Sequence, residues 1–228
     1  MMDDRDRLQQ LEARLQSQSI NESRQALNEL AQMPADVAVP VLKRLTQAQD
    51  FQTRRLAMMG LGNHPTDASW QILQEVLAQE QDANVLAEAA NSLFEFGSTS
   101  LPLLQDLFCR NTHWLLRQTI LSILMEADQS DVLLAVVQLG LQDDTQTVRE
   151  TAILALGPLM NSAAELEAIA LLTQTATAEN WRDRWRSATT LSLSNHPEAK
   201  RLLANLRQDE NHYVVAAALE GNLRSTEA

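Results

Sequence analysis

Several residue types are scarce in this 228-residue sequence, and each scarcity excludes a class of protein. Six glycines and six prolines leave little material for hairpin turns, so β-strands have little support. The single cysteine, Cys109, excludes an internal disulfide framework and a CxxC site, and it fits a reducing, cytoplasmic location. No apolar run approaches the ~20 residues of a membrane span, and residues 1–10 lack the apolar core of a signal peptide, so we expect no membrane insertion.

Basic residues are also scarce, because 18 Lys and Arg stand against 30 Asp and Glu and give a net charge of −12. This charge argues against nucleic acid or an anionic membrane surface as the main partner, since both repel an acidic protein. No Lys or Arg occurs between Arg55 and Arg110, whereas seven acids do. Ordinary solvated helix faces would explain this acidic belt; a partner that binds the belt would have to be basic.

The sequence is rich in Leu, Ala and Gln, and 45% of its residues are apolar. These residue types favour helices, and a chain of this length can bury enough surface to fold without a metal or a disulfide. We therefore predict an all-α protein.

A pattern with a period near 32 residues recurs along the chain. Its clearest copy is Val148–Gly157, with the sequence V-R-x-x-A-x-x-A-L-G. Measured at the Arg position, successive copies are 30, 32, 31, 32, 37 and 28 residues apart. The marker residues are Arg24, Arg54, Leu86, Arg117, Arg149, Arg186 and Val214. A repeat of this length predicts a hairpin of two helices that stacks on its neighbours to bury its apolar stripe.

An Asn or Asp stands where the second helix of nearly every repeat is expected to begin. Its side-chain oxygen can accept the free N–H groups of the first helical turn, so these residues are predicted N-caps. They are Asn21, Asp50, Asp82, Asn111, Asp143 or Asp144, Asn180 and Asp209. About seven such hairpins would form an α-α superhelix, a single solenoid domain over residues 1–228.

The repeat resembles the HEAT family, and within it the short repeats of the phycobilisome-lyase type, which share this Asp, Val-Arg and Ala-Leu-Gly order. Two stretches, His113–Arg117 and Asn180–Arg186, are similar to segments of the small HEAT-like proteins of organisms that harvest light with phycobilisomes. The resemblance implies a HEAT-like solenoid and a role in phycobilisome or phycobiliprotein metabolism. Because relatives of the lyase type often act in pairs, it also implies a phycobiliprotein or a second HEAT-like subunit as partner.

The segment Trp181–Arg186 holds two of the four tryptophans and four charged residues. On a helix, the two tryptophans lie one turn apart on one face and Arg182 and Arg186 lie on an adjacent face. Trp and Arg dominate the binding energy of protein interfaces, so Trp181, Arg182, Arg184 and Trp185 are predicted to bind a partner. The structural alternative places Trp185 in the core and uses Arg186 as the repeat's marker.

Repeat four has a smaller counterpart of this segment at His113, Trp114 and Arg117, again at the start of a second helix. Trp114 and Arg117 complete the predicted partner-binding set. The structural alternative is that Trp114 covers the end of the preceding hairpin.

The sequence shows no convincing catalytic or metal-binding set. Cys109 and His113 lie four residues apart but fall across a predicted helix break, and no acid is placed to orient the imidazole. The four histidines occur singly, whereas a metal site needs three or four ligands together. We predict no catalytic residue and no metal.

Three functions compete at this point. The first, which we favour, is a non-catalytic adaptor that binds a protein partner. The second, implied by the resemblance, is a bilin lyase subunit or chromophore-detaching factor, in which arginines would bind the propionates of a bilin; otherwise no cofactor is expected. The third is a DNA-lesion glycosylase built on a HEAT-like shell, which the net charge opposes.

Overall fold

A computed structural model of the chain describes the backbone of residues 4–224 and the side chains of residues 6–220. Within residues 4–224 it contains fourteen α-helices, two short 3-10 turns at Gly97–Ser100 and Gly157–Leu159, and no strand. The helices are α1 (Asp4–Leu15), α2 (Ile20–Ala31), α3 (Ala35–Leu45), α4 (Phe51–Gly62), α5 (Asp67–Gln79), α6 (Ala83–Phe94), α7 (Leu101–Arg110), α8 (Trp114–Glu126), α9 (Ser130–Gly140), α10 (Gln146–Leu154), α11 (Glu165–Thr175), α12 (Trp181–Leu191), α13 (Pro197–Leu206) and α14 (His212–Arg224).

Consecutive helices form seven hairpins, each with a first helix and a second helix. The second helices begin 31, 32, 31, 32, 35 and 31 residues apart, at Ile20, Phe51, Ala83, Trp114, Gln146, Trp181 and His212. The longer step follows α10, where ten residues that include a 3-10 turn connect it to α11. The prediction of an all-α fold of about seven helical hairpins is confirmed.

The marker arginine of repeat six is Arg184, so its assignment to Arg186 was wrong. In four repeats, the arginine at the fourth residue of the second helix donates a hydrogen bond to the backbone carbonyl six residues earlier. These pairs are Arg54 with Ala48, Arg117 with Asn111, Arg149 with Asp143, and Arg184 with Ala178. Each of these arginines therefore holds the turn that precedes its own helix.

Three of the predicted N-caps are confirmed. The side chains of Asp50, Asp82 and Asn180 accept hydrogen bonds from the first turns of α4, α6 and α12. The predictions of Asn111, Asp143 and Asp209 as caps were wrong, because these residues lie two positions before the caps of their helices; Asp144, the alternative in repeat five, lies one position before the cap Thr145. Asn111, Asp143 and Asp209 accept the N–H of the residue just before the helix instead, namely His113, Thr145 and Asn211. Asn21 lies inside α2, whose cap is Ser19.

The chain divides into two compact units, residues 1–104 and 105–228, with the boundary inside α7. In the first unit α4 packs against α2 and α6, and in the second α10 packs against α8 and α12 while α12 packs against α14. Buried alanines, leucines and valines fill the core of each unit. The single solenoid domain over residues 1–228 stays a prediction.

Small residues let helices approach closely inside the units. Gly140, at the end of α9, faces Ala152 of α10, and a Cβ atom at position 140 would lie 2.9 Å from the Cβ of Ala152. That distance is shorter than carbon atoms tolerate, so the separation of α9 and α10 depends on the missing side chain.

Candidate functional site

Three aromatic rings meet where α12 and α14 begin. Asn180 caps α12 and starts it at Trp181, which places Trp181 and Trp185 one turn apart with ring centroids 6.1 Å from each other. Tyr213 of α14 joins them, with its ring centroid 5.5 Å from that of Trp181 and 6.2 Å from that of Trp185. These spacings are typical of aromatic pairs that pack directly against each other.

Two arginines of α12 lie over the indole rings. The guanidinium carbon of Arg182 is 4.8 Å from the ring centroid of Trp181, and that of Arg186 is 3.9 Å from the ring centroid of Trp185. Both distances fit cation–π contacts. We call Trp181, Arg182, Trp185, Arg186 and Tyr213 together the aromatic–arginine surface.

The aromatic–arginine surface is accessible to another molecule. Tyr213 is 51% exposed, and so is the side chain of Arg182. Trp181 and Trp185 are half-buried, so neither indole belongs fully to the core. The alternative that places Trp185 in the core is therefore not what the structure shows, because its side chain is only partly buried.

A polar network fixes the start of α12 against α10. The side-chain amide of Gln146 donates to the buried carboxylate of Asp183 over 2.7 Å, and its oxygen accepts from Asn180 and Arg149. Glu150 of α10 accepts from Arg186 Nε over 2.9 Å, while Arg182 Nε lies 3.9 Å from the same carboxylate. Arg182 and Arg186 are thus positioned by Glu150 of α10 as well as by the indole rings.

Arg184, predicted to bind a partner, is engaged inside the protein. Its side chain is only 11% exposed, donates to the carbonyls of Ala178 and Glu179, and pairs with Asp209 at 2.7 Å. The hydrogen bond from Arg184 lowers the pKa of the Asp209 carboxyl, helped by the N–H of Asn211 and opposed by burial. Arg184 is therefore not part of the aromatic–arginine surface.

Arg117 has the same structural role in repeat four. It donates to the carbonyl of Asn111 over 2.7 Å and pairs with the carboxylate of Asp143. Burial raises the pKa of Asp143, but the N–H of Thr145 and the guanidinium of Arg117 outweigh it, and the pKa is lowered. Arg117, like Arg184, connects the turns of two successive repeats.

Trp114 is exposed but isolated from the aromatic–arginine surface. It is 44% exposed, and its ring lies 6.0 Å from that of His113, the residue that caps α8 through Nδ1. Among the described side chains, no aromatic contact connects Trp114 with Trp181, Trp185 or Tyr213. Its predicted role in binding stays a prediction.

Tyr213 and two apolar residues of the first unit were not predicted as site residues from the sequence. Ile20 and Phe51, the first residues of α2 and α4, are exposed and line an open groove of about 390 Å³ together with Met59. Trp114 and Trp181 occupy the same position of their second helices. Aligning the repeats on the first residue of each second helix would have revealed this series.

No group of three His, Cys, Asp or Glu side chains within the described part of the chain could hold a metal ion. Cys109 is exposed on α7, and His113 accepts the N–H of Leu115, so neither shows the pairing of a nucleophile with its base. Across residues 4–224, every helix is too short or too polar to cross a membrane.

Comparison with known proteins gives a consistent fold. The sequence profile of HEAT repeats matches residues 8–94, 75–157 and 133–224. The crystal structure of the Escherichia coli protein YibA is similar with a TM-score of 0.66 and 14% identity, over 95% of this chain and 80% of that one. A crystal structure of an engineered protein is similar with a TM-score of 0.54 and 17% identity, over 96% and 67%.

A third similar structure is the complex of CpcE and CpcF of phycocyanin lyase from Nostoc sp. PCC7120. Its TM-score is 0.49 at 20% identity, with 96% of this chain and 87% of that one covered, which is too weak a likeness to support a functional conclusion. No curated protein sequence matches the chain. The structural matches therefore show the fold alone.

Proposed function

The chain belongs to the HEAT-repeat family, and from that premise we propose that it is a non-catalytic adaptor that binds a protein partner through the aromatic–arginine surface. Repeat arrays of stacked helices present extended surfaces for other macromolecules. The proposed setting is the cytoplasm.

The observation that carries this proposal is the exposure of stacked Trp, Tyr and Arg side chains at one place. Tyr213 and Arg182 are each half-exposed, and the two indoles beside them are half-buried. Trp, Tyr and Arg are the residue types that most often carry the binding energy of protein interfaces. A rigid cluster of them, held on two neighbouring helices, loses little side-chain freedom when a partner binds.

The finer part of the proposal is a partner from phycobilisome metabolism, such as a phycobiliprotein or a second HEAT-like subunit. It rests on the likeness of the repeat to the phycobilisome-lyase type. The bilin lyase alternative draws on the same surface, since Arg182 and Arg186 could bind propionates while the aromatic rings cover pyrroles. Titration of the protein with a free bilin separates the adaptor from the bilin lyase alternative. A shift in bilin absorption that Arg182→Gln abolishes would favour the lyase.

The adaptor proposal is tested by affinity capture from native extract, followed by measured affinity for the protein captured. We expect Trp181→Ala combined with Tyr213→Ala to weaken that affinity at least tenfold, with an unchanged helical circular-dichroism spectrum. Leu166→Ala, which removes a still more exposed apolar side chain from α11, is the control and should bind normally. Equal loss in both variants, or loss in neither, would contradict the proposal.

A further inference from the structure

We propose that the aromatic–arginine surface recognises an acidic segment of the partner, in which two carboxylates bind the guanidinium groups of Arg182 and Arg186. The inference rests on the proposed function and adds the chemistry of the partner to it. Three features of the surface carry it: unused donors, guanidinium groups restrained by the indoles and by Glu150, and two arginines that share one carboxylate.

The unused donors are the terminal nitrogens of the two arginines. Arg186 donates only from Nε, to Glu150 over 2.9 Å, and Arg182 Nε lies 3.9 Å from the same carboxylate. Among the described side chains and backbone, neither arginine donates a hydrogen bond from Nη1 or Nη2. Arg184, on the same helix, donates from both of these nitrogens to protein acceptors.

The guanidinium groups are restrained by the indoles that they lie over and by Glu150. A guanidinium presents its N–H groups in one plane, where two of them can form parallel hydrogen bonds with a carboxylate. Because these contacts already restrict Arg182 and Arg186, binding a carboxylate costs them less conformational freedom than it costs a free surface arginine. Lysine could not replace them, since it lacks both the plane and the fork.

The two arginines share one carboxylate, although the whole chain is acidic. Both lie at Glu150, so this carboxylate balances only one of their two positive charges. Asp183 pairs with Arg149, and Asp209 pairs with Arg184. A protein of net charge −12 would repel an acidic ligand at most places, so this surface selects where such a ligand binds.

The spacing of the two arginines limits the ligand. Residues four apart on a helix have side chains about 5–6 Å apart at Cβ. Alternate residues of an extended peptide lie on the same side about 6.6 Å apart, so two acids separated by one residue fit this spacing. An apolar residue two positions beyond the second acid lies on the same side of such a peptide and would contact the exposed ring of Tyr213, which lies beside the indoles.

The test uses a fluorescein-labelled peptide with a Glu-Ser-Glu-Ser-Phe core and Gly-Ser flanks, and the same peptide with Gln in place of Glu. Fluorescence anisotropy measures binding to the full chain at low salt. We expect the Glu peptide to bind at least tenfold more tightly than the Gln peptide, and the difference to shrink as salt rises. Equal affinity for the two peptides would overturn the inference.

Variants of the full chain locate the binding. Arg182→Gln with Arg186→Gln should abolish the preference for Glu, and Arg182→Lys with Arg186→Lys should retain less than a tenth of the affinity. Arg110→Gln with Arg201→Gln, which removes two exposed arginines from α7 and α13, is the control for net charge and should bind like the native chain. A preference that survives the double Gln substitution would overturn the inference.

The same variants separate this inference from the adaptor proposal. If Trp181→Ala with Tyr213→Ala weakens partner capture but the double Gln variant does not, the surface binds a partner by apolar contact and the acidic segment is refuted. If neither variant affects capture, both proposals fail. If the Glu peptide binds and a free bilin does not displace it, the carboxylates that the surface recognises belong to a protein. Tight binding of the bilin without binding of the peptide would overturn the inference.

Discussion

Arg182 and Arg184 stand two residues apart on α12, and their surroundings give them opposite roles. Arg182 lies over an indole with its side chain half-exposed, whereas Arg184 is nearly buried and donates to two carbonyls and a carboxylate. An exposed ion pair contributes little to stability, but an arginine that satisfies buried acceptors leaves them without partners when it is removed.

The first prediction compares these two residues. Arg184→Gln should lower the free energy of unfolding by about 2 kcal/mol, because the carbonyls and Asp209 lose their donor. Arg182→Gln should lower it by less than about 0.5 kcal/mol. Urea unfolding followed by circular dichroism measures both values. An equal loss of unfolding free energy in the two variants would contradict the different structural roles of Arg182 and Arg184.

The second prediction concerns acid. The pKa of Asp209 is lowered in the folded chain, so its contribution to stability is complete above its ordinary pKa and is lost as the pH falls through the lowered value. The native chain should therefore lose stability between about pH 5 and pH 3, and Arg184→Gln should lose less over that range. Urea unfolding at several pH values tests this, with Glu167→Gln, an exposed acid of α11, as control. A steeper acid dependence in Arg184→Gln would contradict it.

At the scale of the helices, the separation of α9 and α10 is set by a missing side chain. The third prediction is that Gly140→Ala lowers the free energy of unfolding by about 1–3 kcal/mol, although Ala is the better helix former, because its Cβ would overlap that of Ala152.

The matched variant exchanges the two residues. Gly140→Ala combined with Ala152→Gly moves the methyl group from one helix to the other and removes the overlap. The double variant should be more stable than Gly140→Ala alone in the same urea experiment. If it is less stable by the sum of the single effects, the overlap is not the cause.

The helices and their period could be predicted from the sequence because caps and small residues are local signals. Asn180 was predicted as the cap of its helix, and counting four residues from it leads to Arg184 as the marker. The pair Trp185 and Arg186 looked more like the Val-Arg consensus and misled the alignment of repeat six. A consensus match compares residue types, whereas the marker is defined by a hydrogen bond to the preceding turn.

The aromatic–arginine surface could be predicted only in part. Four of its members lie within one turn and a half of α12, so their adjacency follows from helical spacing. Tyr213 comes from α14 and joins the cluster only because α12 packs against α14. No spacing within a single helix connects residue 213 with residues 181–186, so the sequence alone could not place Tyr213 there.

At the scale of the whole molecule, the net charge of −12 decides which large ligands are compatible with the chain. The fourth prediction is that duplex DNA does not bind even at low salt, because the phosphate backbone and the protein repel each other. A mobility-shift assay without added salt measures this, with a basic DNA-binding protein as positive control. A shifted band would revive the DNA-glycosylase alternative that the charge opposes.

The arginine bonds between turns have a consequence for how such a chain can lengthen or shorten. Arg117 meets the acid three residues before α10 through Nη1, and Arg184 meets the acid three residues before α14 through Nε and Nη2. An arginine of this kind can pair with an acid at that position of the repeat that follows it. Duplication or deletion of whole repeats during evolution would therefore preserve an arginine–carboxylate ion pair at the new junction, as long as the repeats are joined at equivalent positions.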